Sequence, residues 1–321
     1  MRILIVGGTS FVGRAVALAA WRAGHSVTVI NRGVTPTDLP DGIERLEGDR
    51  TSDLSALAGR SFDATVDSSG YRPADVTRLA AALDGRAGHY LQVSSISAYA
   101  NPEHVGATEA ELELHDEAGL DLDGPITAET YGPLKAAAER VAPLVSDRVT
   151  IVRPTYVIGA HDATLRFPYW VERARRGGVV AVPGPRDSAL QYIDARDLAD
   201  FMMAQLLTGA TGAVHVCGPS PAPTYAETIE RVVAHVGPPG TSVRVVEPER
   251  VLAAGLEGRF PLWSGPTSEA ALALSNELAL SRGLVLRPVE ESVDDVVSWW
   301  DEREWPGHWL RADAEEQLLA S

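Results

Sequence analysis

The sequence is poor in cysteine and in basic residues. Cys217 is the one cysteine in 321 residues, so no internal disulfide can form, and we expect its thiol to pack as a small hydrophobic group. The 28 lysines and arginines are outnumbered by 44 aspartates and glutamates, which gives a formal net charge of −16. Nucleic acids and anionic membranes are bound mainly through basic side chains, so neither is an expected partner.

Long apolar runs are also missing. No segment approaches the roughly twenty apolar residues that span a bilayer, and Arg2–Val6 is too short for a secretion signal. These features predict an intracellular, cytoplasmic protein. The hydrophobic fraction of 45% and the charged fraction of 22% are typical of a globular chain with a sizeable core. The length suggests about two domains, or one large domain with a cap.

Apolar β-branched runs alternate with segments of helical period over the first 152 residues. The runs predicted to be buried strands are Arg2–Val6, Ser26–Ile30, Ala64–Asp67, Tyr90–Val93 and Val149–Val152. Between them, Phe11–Ala23 stops before Gly24, and Pro73–Leu83 carries the apolar stripe of an amphipathic helix. This alternation predicts an α/β protein with a doubly wound parallel sheet, the Rossmann fold.

The C-terminal half has clear helix signals and few strand signals. The helix signals are capping-box pairs and amphipathic stretches: Asp194 with Asp197, Thr224 with Glu227, 290–301 and 311–320. A short strand is expected at Ser242–Val246. These patterns predict a smaller, mostly helical substrate-binding domain. The predicted dinucleotide-binding domain comprises 1–157 and 189–218, and the predicted substrate domain comprises 158–188 and 219–321.

The most informative local pattern is the turn Gly7-Gly-Thr-Ser-Phe-Val-Gly13 between the first strand and the first helix. Glycines there let backbone N–H groups approach a pyrophosphate, and the helix N-terminus supplies positive potential. A P-loop is excluded because Arg14 and Ala15 follow, where that motif has Lys and Ser or Thr. The turn predicts a dinucleotide site, although a tight turn without a ligand would also need glycine.

The residues that end the second strand bear on the choice of dinucleotide. An acidic residue usually binds the free ribose 2′-hydroxyl of NAD at this point, whereas a 2′-phosphate is bound by arginine. Asn31 and Arg32 occupy it, so NADP(H) is favoured and NAD(H) stays open. Asp49 and Arg50 lie between the predicted strands Ser26–Ile30 and Ala64–Asp67. There they would contact the adenine or form a turn.

Tyr131 and Lys135 are four residues apart at the start of a predicted helix. This spacing puts the phenol and the ammonium on one face, where the cation would lower the tyrosine pKa toward neutrality. A tyrosine tuned in this way can donate and accept a proton. A third member is expected in Val93–Tyr99, where a hydroxyl could bind a substrate carbonyl. Loop capping is the alternative for Ser94 and Ser97.

Together these motifs resemble the extended and atypical branch of the short-chain dehydrogenase/reductase superfamily, also called the NAD-dependent epimerase/dehydratase family. The resembling segments are the glycine-rich turn, Val93–Tyr99, Tyr131-x-x-x-Lys135, Arg153–Gly159 and Gln191–Leu198. The resemblance implies a catalytic hydroxyl at Ser95, an acid/base at Tyr131 and a ribose-binding lysine at Lys135. It also implies hydride transfer to or from the nicotinamide C4, with Tyr131 moving the proton.

Cofactor contacts are predicted along the carboxyl edge of the sheet. The residues are Gly7, Thr9, Ser10, Phe11, Gly13, Asn31, Arg32, Asp49, Arg50, Ser68, Lys135, Pro154 and Val157. Ser10 departs from the family's usual central glycine, which gives the Gly-Gly-Thr-x-Phe-x-Gly form of a subgroup that includes reductases and plastid RNA-binding proteins. Leu190 stands where many nucleotide-sugar enzymes have an arginine, which counts against such a substrate unless Arg186 or Arg166 substitutes.

The substrate pocket is expected to combine the serine-rich segment with an aromatic segment of the second domain. Its predicted residues are Ser97, His161, Arg166, Phe167 and Trp170. Phe167 and Trp170 could equally join the two domains. Core packing or a subunit contact is the default interpretation of four tryptophans, Trp299, Trp300, Trp305 and Trp309. No spacing typical of metal ligands accompanies His161, so no metal is predicted.

The segment 103–129 has nine acidic residues and no lysine or arginine. A solvated acidic loop is the favoured interpretation of this segment, and a lid over the site is the alternative.

The motifs predict an NADP(H)-dependent reductase or dehydrogenase of a small carbonyl or alcohol, with an aromatic or apolar group favoured. One alternative is an NAD-dependent epimerase or dehydratase of a sugar or nucleotide sugar. A second alternative is a non-catalytic nucleotide- or RNA-binding protein, which the charge of −16 opposes. The expected partner is a small-molecule substrate, and the family resemblance implies a homodimer.

Overall fold

Parallel strands form the centre of the protein. The computed structural model describes residues 1–34, 38–100, 104–265, 273–300 and 309–320. The strands are β1 Arg2–Val6, β2 Ser26–Asn31, β3 Glu44–Glu47, β4 Ala64–Asp67, β5 His89–Val93, β6 Val149–Pro154, β7 Tyr156–Ile158, β8 Val179–Pro183, β9 Tyr192–Asp194, β10 Gly212–Val216 and β11 Ser242–Val246.

Helices follow most of these strands along the chain. Their bounds are α1 Phe11–Arg22, α2 Pro73–Leu83, α3 Ala128–Arg140, α4 Arg166–Arg175, α5 Ala195–Thr208, α6 Tyr225–Val236, α7 Pro248–Ala253, α8 Glu277–Ser281, α9 Val289–Trp299 and α10 Ala312–Ala320. Within the described ranges, no helix combines the length and the apolar character needed to cross a bilayer.

The main sheet has seven parallel strands in the order β3-β2-β1-β4-β5-β6-β10. The chain leaves β1 toward β2 and β3, then returns to the other side of β1 at β4. Ligands of open parallel sheets bind at the carboxyl ends of the strands where the order reverses, which here is between β1 and β4. The predicted doubly wound parallel sheet is therefore confirmed.

Each face of the sheet is covered by helices. Side chains alternate along β1, so that Ile3 and Ile5 pack with α1 and α5 on one face. Leu4 and Val6 pack with α2 on the opposite face. Because both faces are buried, the central strands are almost continuously apolar, as the sequence predicted.

The second part of the protein has a core of its own. Helices α4, α6 and α9 pack beside a two-stranded parallel sheet of β8 and β11, and β7 pairs with β9 in another. Trp170 is fully buried there, donates from Nε1 to the Pro261 carbonyl at 3.0 Å and stacks on Phe260. Phe167 belongs to the same core and is 1% exposed.

The placement of Phe167 and Trp170 corrects the predicted substrate pocket. Neither ring lies on a cavity wall near the sheet, because both fill the hydrophobic interior between α4 and its neighbours. The alternative, that these rings join the two domains, stays a prediction. The domain boundaries at 157, 188 and 218 stay a prediction.

Several local predictions can be compared with the structure. Thr224 and Glu227 form the predicted capping box, and Ser242–Val246 is the predicted strand. Asp194 caps α5 by accepting from the Arg196 N–H at 2.8 Å, but Asp197 pairs with Arg287 instead of closing a box. Strands β7 to β10 were not predicted.

Cys217 follows β10 and is fully buried, as expected. Burial raises the pKa of its thiol, which keeps the side chain neutral. The sulfur lies 3.9 Å from the Leu274 carbonyl oxygen.

We expect the Gly13→Ala variant to be much less stable than the Gly24→Ala variant. A Cβ at Gly13 would lie 2.3 Å from the Gly7 carbonyl oxygen, which forces α1 away from the turn and costs about 3 kcal/mol. A Cβ at Gly24 would meet no atom within 4 Å, so its left-handed φ of +78° alone costs about 1 kcal/mol. Urea unfolding measures both values, and equal losses would contradict the close approach.

Candidate active site

A cavity of about 700 Å³ opens at the carboxyl ends of β1, β2 and β4. Of the predicted cofactor residues, those on its wall are Gly7, Thr9, Ser10, Phe11, Gly13, Asn31, Arg32, Asp49, Arg50 and Ser68. The other predicted contacts, Lys135, Pro154 and Val157, do not line this cavity. Their roles stay predictions.

The glycine-rich turn brings backbone close to the cavity. Gly7 has a φ of +85°, and a Cβ there would lie 2.8 Å from Ser68 Oγ. Ser68 donates from that hydroxyl to the Val6 carbonyl at 2.9 Å, which fixes β4 against the turn. The Ser10 side chain makes no capping hydrogen bond, so the first N–H groups of α1 stay free to bind an anion. This cradle fits the pyrophosphate of a dinucleotide.

The rim after β2 is formed by Asn31 and Arg32. Asn31 accepts from the Gly33 N–H at 2.7 Å, so its side chain shapes the turn. Arg32 is exposed and lines the cavity, and its side chain makes no ion pair with any described residue. Asp49 accepts from the Thr51 N–H and hydroxyl at 2.8 and 2.7 Å, which is the turn predicted as one alternative.

The floor of the cavity contains a buried ion pair that sequence reasoning missed. Arg50 donates to the two carboxylate oxygens of Asp67 at 2.6 and 2.9 Å and to Ser69 Oγ at 2.8 Å. Tyr90 also donates to Asp67 at 3.0 Å. Burial opposes the charge of Asp67, but Arg50 outweighs it and holds the pKa of that carboxyl below its usual range. An acidic residue at the end of a buried strand was the available signal.

The structure brings Ser95, Tyr131 and Lys135 together beside this cavity. Lys135 is 2% exposed, and its Nζ lies 6.0 Å from the centre of the Tyr131 ring. The Ser95 hydroxyl lies close enough to the Tyr131 phenol to lower its pKa. The three residues come from different elements: Ser95 follows β5, whereas Tyr131 and Lys135 lie one turn apart on α3.

Backbone contact fixes α3 against the segment that carries Ser95. A Cβ at Gly132 would lie 2.0 Å from the Ser97 carbonyl oxygen, so this glycine allows the close approach. Ser95 caps the short 3₁₀ turn Ile96–Ala98 by accepting from the Ser97 N–H at 3.1 Å. Ser95, rather than Ser94 or Ser97, therefore provides the loop cap. Ser94 is buried, and its hydroxyl has no hydrogen-bond partner among the described residues.

The pKa values differ from those predicted. Burial raises the pKa of Tyr131 to about 12, although the nearby Ser95 hydroxyl acts in the opposite direction. The expectation that Lys135 lowers this pKa toward neutrality is wrong, because its ammonium is directed at the Gly70 and Val93 carbonyls, 3.0 and 2.9 Å away. Burial lowers the pKa of Lys135 to about 8. With these pKa values, the Tyr131 phenol is protonated at neutral pH, and the Lys135 side chain is charged in most of the molecules.

A second buried ion pair holds α3 to the sheet. Arg153 on β6 donates to both carboxylate oxygens of Glu139 on α3, at 3.0 Å from Nε and 2.5 Å from the second terminal nitrogen. Its other terminal nitrogen donates to the Tyr99 hydroxyl at 2.7 Å, which lies 2.5 Å from His215 Nε2. These contacts tie α3, β6, β10 and the end of the serine segment together.

Two tyrosines near Tyr131 were not predicted. Tyr71 lines the cavity and is 37% exposed; its ring centre lies 6.2 Å from that of Tyr131 and 4.4 Å from Lys135 Nζ. Tyr156 begins β7 and shares a hydrogen bond with Ser264. No motif marks either residue, because each reaches this place through the fold.

The remaining pocket predictions have different outcomes. Arg166 lines the cavity. His161 instead lines a smaller cavity of about 280 Å³ beside α1, and the centre of its ring lies 5.1 Å from the centre of the Trp299 ring. Trp309 donates from Nε1 to the Thr164 carbonyl at 2.9 Å. Trp305 lies outside the described residues. Within those residues, no three His, Cys, Asp or Glu side chains are grouped to hold a metal ion.

The described part of the acidic segment is attached to the protein rather than only solvated. Arg72 lines the cavity and donates to the Gly124 carbonyl at 3.1 and 2.8 Å. Ile126 also lines the cavity. At the other end, Glu109 accepts from the His215 N–H at 2.7 Å. The segment therefore forms part of the cavity wall, closer to the alternative of a lid.

Curated proteins similar to this chain include a binding protein and two reductases. The chain is 25% identical over 214 residues to the chloroplast stem-loop binding protein of 41 kDa b from Arabidopsis thaliana, covering 62% of this chain and about half, 53%, of that protein. It is 27% identical over 268 residues to 2-alkyl-3-oxoalkanoate reductase from Stenotrophomonas maltophilia, covering 74% and 77%. It is 28% identical over 262 residues to 2′-dehydrokanamycin reductase from Streptomyces kanamyceticus, covering 76% and 69%.

Solved structures share the fold. UDP-N-acetylglucosamine 4-epimerase from Bacillus cereus has a TM-score of 0.64 at 16% identity, over 97% of this chain and 100% of that one. UDP-glucuronic acid 4-epimerase from Bacillus cereus, solved in complex with NAD, has a TM-score of 0.65 at 13% identity, over 93% and 98%. Residues 3–218, more than half of the chain, match the NAD dependent epimerase/dehydratase family, so the chain belongs to that family.

Proposed function

We propose that this protein is an NADP(H)-dependent reductase or dehydrogenase that interconverts a small carbonyl compound and its alcohol. The observation that carries the proposal is the convergence of Ser95, Tyr131 and Lys135 beside the dinucleotide-sized cavity. Two of the similar curated proteins are reductases by name, which supports the same reaction class. The partner in this proposal is a small-molecule substrate.

The residues of the cavity have separate roles in binding the cofactor. The turn at Gly7 and Gly13 and the free N–H groups of α1 bind its pyrophosphate. Arg32 at the rim pairs with a 2′-phosphate, which is the basis for preferring NADP(H). The bound nicotinamide supplies or takes up the hydride.

Tyr131 donates the proton to the substrate oxygen during reduction. With its pKa raised by burial, the phenol is protonated at neutral pH and ready to act as an acid. Ser95 hydrogen-bonds the reacting group and holds it against the phenol. The ammonium of Lys135 stabilises the phenolate that remains, because a nearby positive charge favours the anion.

The family's epimerases and dehydratases define the main competing function. Such an enzyme would take a hydride from its substrate onto the bound coenzyme and return it within one catalytic cycle, so it would retain that coenzyme between turnovers. An absorbance spectrum of the purified protein discriminates between the two, since a bound, non-exchanging NAD(H) would support the epimerase or dehydratase. The net charge of −16 counts against binding of RNA.

We expect Tyr131→Phe to lower kcat by about 10² to 10⁴-fold, because the substitution removes the proton donor. The dissociation constant for NADPH should change by less than about twofold, since the phenol does not line the cofactor cavity. Steady-state kinetics and NADPH fluorescence measure the two values. Tyr169→Phe, a buried tyrosine of the second core, is the matched control. Unchanged turnover in Tyr131→Phe would refute the assigned acid.

Arg32→Ala should weaken NADPH binding by about tenfold or more and leave NADH binding unchanged, because a charge-assisted contact to the 2′-phosphate is lost. Arg22→Ala, which removes an exposed arginine from the last turn of α1, is the control for net charge. Fluorescence titration with both coenzymes measures the affinities. Equal losses for NADPH and NADH would contradict the assignment of Arg32.

The rate of reduction should fall as the pH rises through about 8. Burial lowers the pKa of Lys135 to about 8, so the ammonium is lost above this pH and the forming Tyr131 phenolate is less stabilised. In Lys135→Arg the side chain stays charged, so the fall should move to higher pH. Profiles of kcat/KM against pH for both proteins test this. If kcat/KM decreases at the same pH in the wild type and in Lys135→Arg, Lys135 is excluded as the origin of the decrease.

A further inference from the structure

Arg166 presents a free edge of its guanidinium to the cavity. It is the first residue of α4, and it lines the cavity opposite the glycine-rich turn. Its Nε donates to Asp162 at 3.1 Å, and that carboxylate is buried, with its side chain 2% exposed. The two terminal nitrogens of Arg166 make no hydrogen bond to any described residue. Asp162 therefore holds the guanidinium in place and leaves its outer edge available to a ligand.

The charge of Arg166 acts at the place where the substrate would react. Its positive charge lowers the pKa values of the Tyr71, Tyr131 and Tyr156 phenols, and the Tyr71 ring centre lies 6.2 Å from that of Tyr131. Tyr71 and Arg166 lie on the wall of the same cavity. A cation placed among three neutral phenols favours an anion that is bound there.

Three of the other charged side chains on this cavity, Arg50, Arg72 and Asp75, are hydrogen-bonded to the protein. The Asp75 carboxylate accepts a hydrogen bond from the Arg72 backbone N–H at 3.1 Å, and the Arg72 side chain donates to the Gly124 carbonyl. Arg50 is bonded to Asp67 in the floor. Arg32 and Arg166 also line this cavity. The charge of Arg166 acts on the pKa of Tyr131, and the outer edge of its guanidinium is open to a ligand.

We propose that Arg166 binds a carboxylate of the substrate, so that the protein acts on oxo acids and the corresponding hydroxy acids. This inference rests on the reductase function proposed above and names its class of substrate. Reduction of an oxo acid adds a hydride to the carbonyl carbon and a proton to the carbonyl oxygen, and the carboxylate is unchanged. Arg166 is well suited to this role because the two N–H groups of its free edge match the two oxygens of a carboxylate.

The same free edge could bind another anion, the pyrophosphate of the cofactor. An experiment without turnover separates the two sources. Hexanoate and hexanamide are titrated by calorimetry into the protein saturated with NADP⁺, or with NAD⁺ if only that coenzyme binds. We expect hexanoate to bind at least about tenfold more tightly than the amide, and Arg166→Gln to remove this difference while the coenzyme affinity changes by less than about twofold.

Two variants control the titration. Arg175→Gln removes an exposed arginine near the other end of α4, and it should keep the preference for hexanoate. Arg166→Lys keeps the charge without the fork and should retain part of the preference, which guards against a fold defect in Arg166→Gln. Equal binding of hexanoate and hexanamide by the wild type would overturn the proposal. A preference that survives in Arg166→Gln, together with lost coenzyme affinity, would assign Arg166 to the pyrophosphate and overturn it as well.

A turnover assay separates this inference from the proposed function. With NADPH, the wild type should reduce 3-oxohexanoate at least about tenfold more efficiently, by kcat/KM, than its methyl ester, and Arg166→Gln should reduce both equally. Reduction of both compounds without preference would leave the reductase function intact and refute the carboxylate site. Tight, Arg166-dependent binding of hexanoate without reduction of either ketone would refute the reductase function and support the carboxylate site.

Discussion

The buried ion pair between Glu139 and Arg153 is the constraint on which the geometry of the site depends. Glu139 lies one helical turn beyond Lys135 and two beyond Tyr131, on the same face of α3. Arg153 belongs to the central sheet, so the pair determines where α3 lies relative to the strands. Removal of one partner from such a pair leaves an uncompensated buried charge, which costs about 3 to 5 kcal/mol. Tyr131, the proposed proton donor, is thus held by an interaction that takes no part in the proposed chemistry.

Burial controls the protonation of the site. The phenol of Tyr131 and the ammonium of Lys135 are both taken out of water, and desolvation favours the neutral form of each. It therefore shifts the two pKa values in opposite directions and moves them apart, to about 12 for Tyr131 and about 8 for Lys135. The hydrogen bonds from Lys135 to two backbone carbonyls hold its ammonium close to the phenol without placing it in direct contact.

The sequence was sufficient to predict the sheet and the glycine-rich turn, because each is encoded by a short local pattern. Tyr131 and Lys135 were selected by their spacing, and Ser95 by the family resemblance. The Tyr131 pKa could not be predicted in this way, since it depends on burial by residues such as Tyr71 that lie far away in the chain. Phe167 and Trp170 were assigned to a pocket because composition alone does not show which way a ring faces. The acidic segment was interpreted as solvated because Arg72, which donates to the Gly124 carbonyl of this segment, stands far away in the chain, just before α2.

Adjacent residues of α4 serve different purposes. The ring of Phe167 is packed into the second hydrophobic core, whereas the side chain of Arg166 is partly exposed at the cavity. A change at position 166 leaves the packing of that core untouched, and a change at position 167 does not alter the charge that a ligand meets. The cost of a substitution at position 166 to the fold therefore comes from the buried Asp162 carboxylate, which loses its partner, and not from the second core.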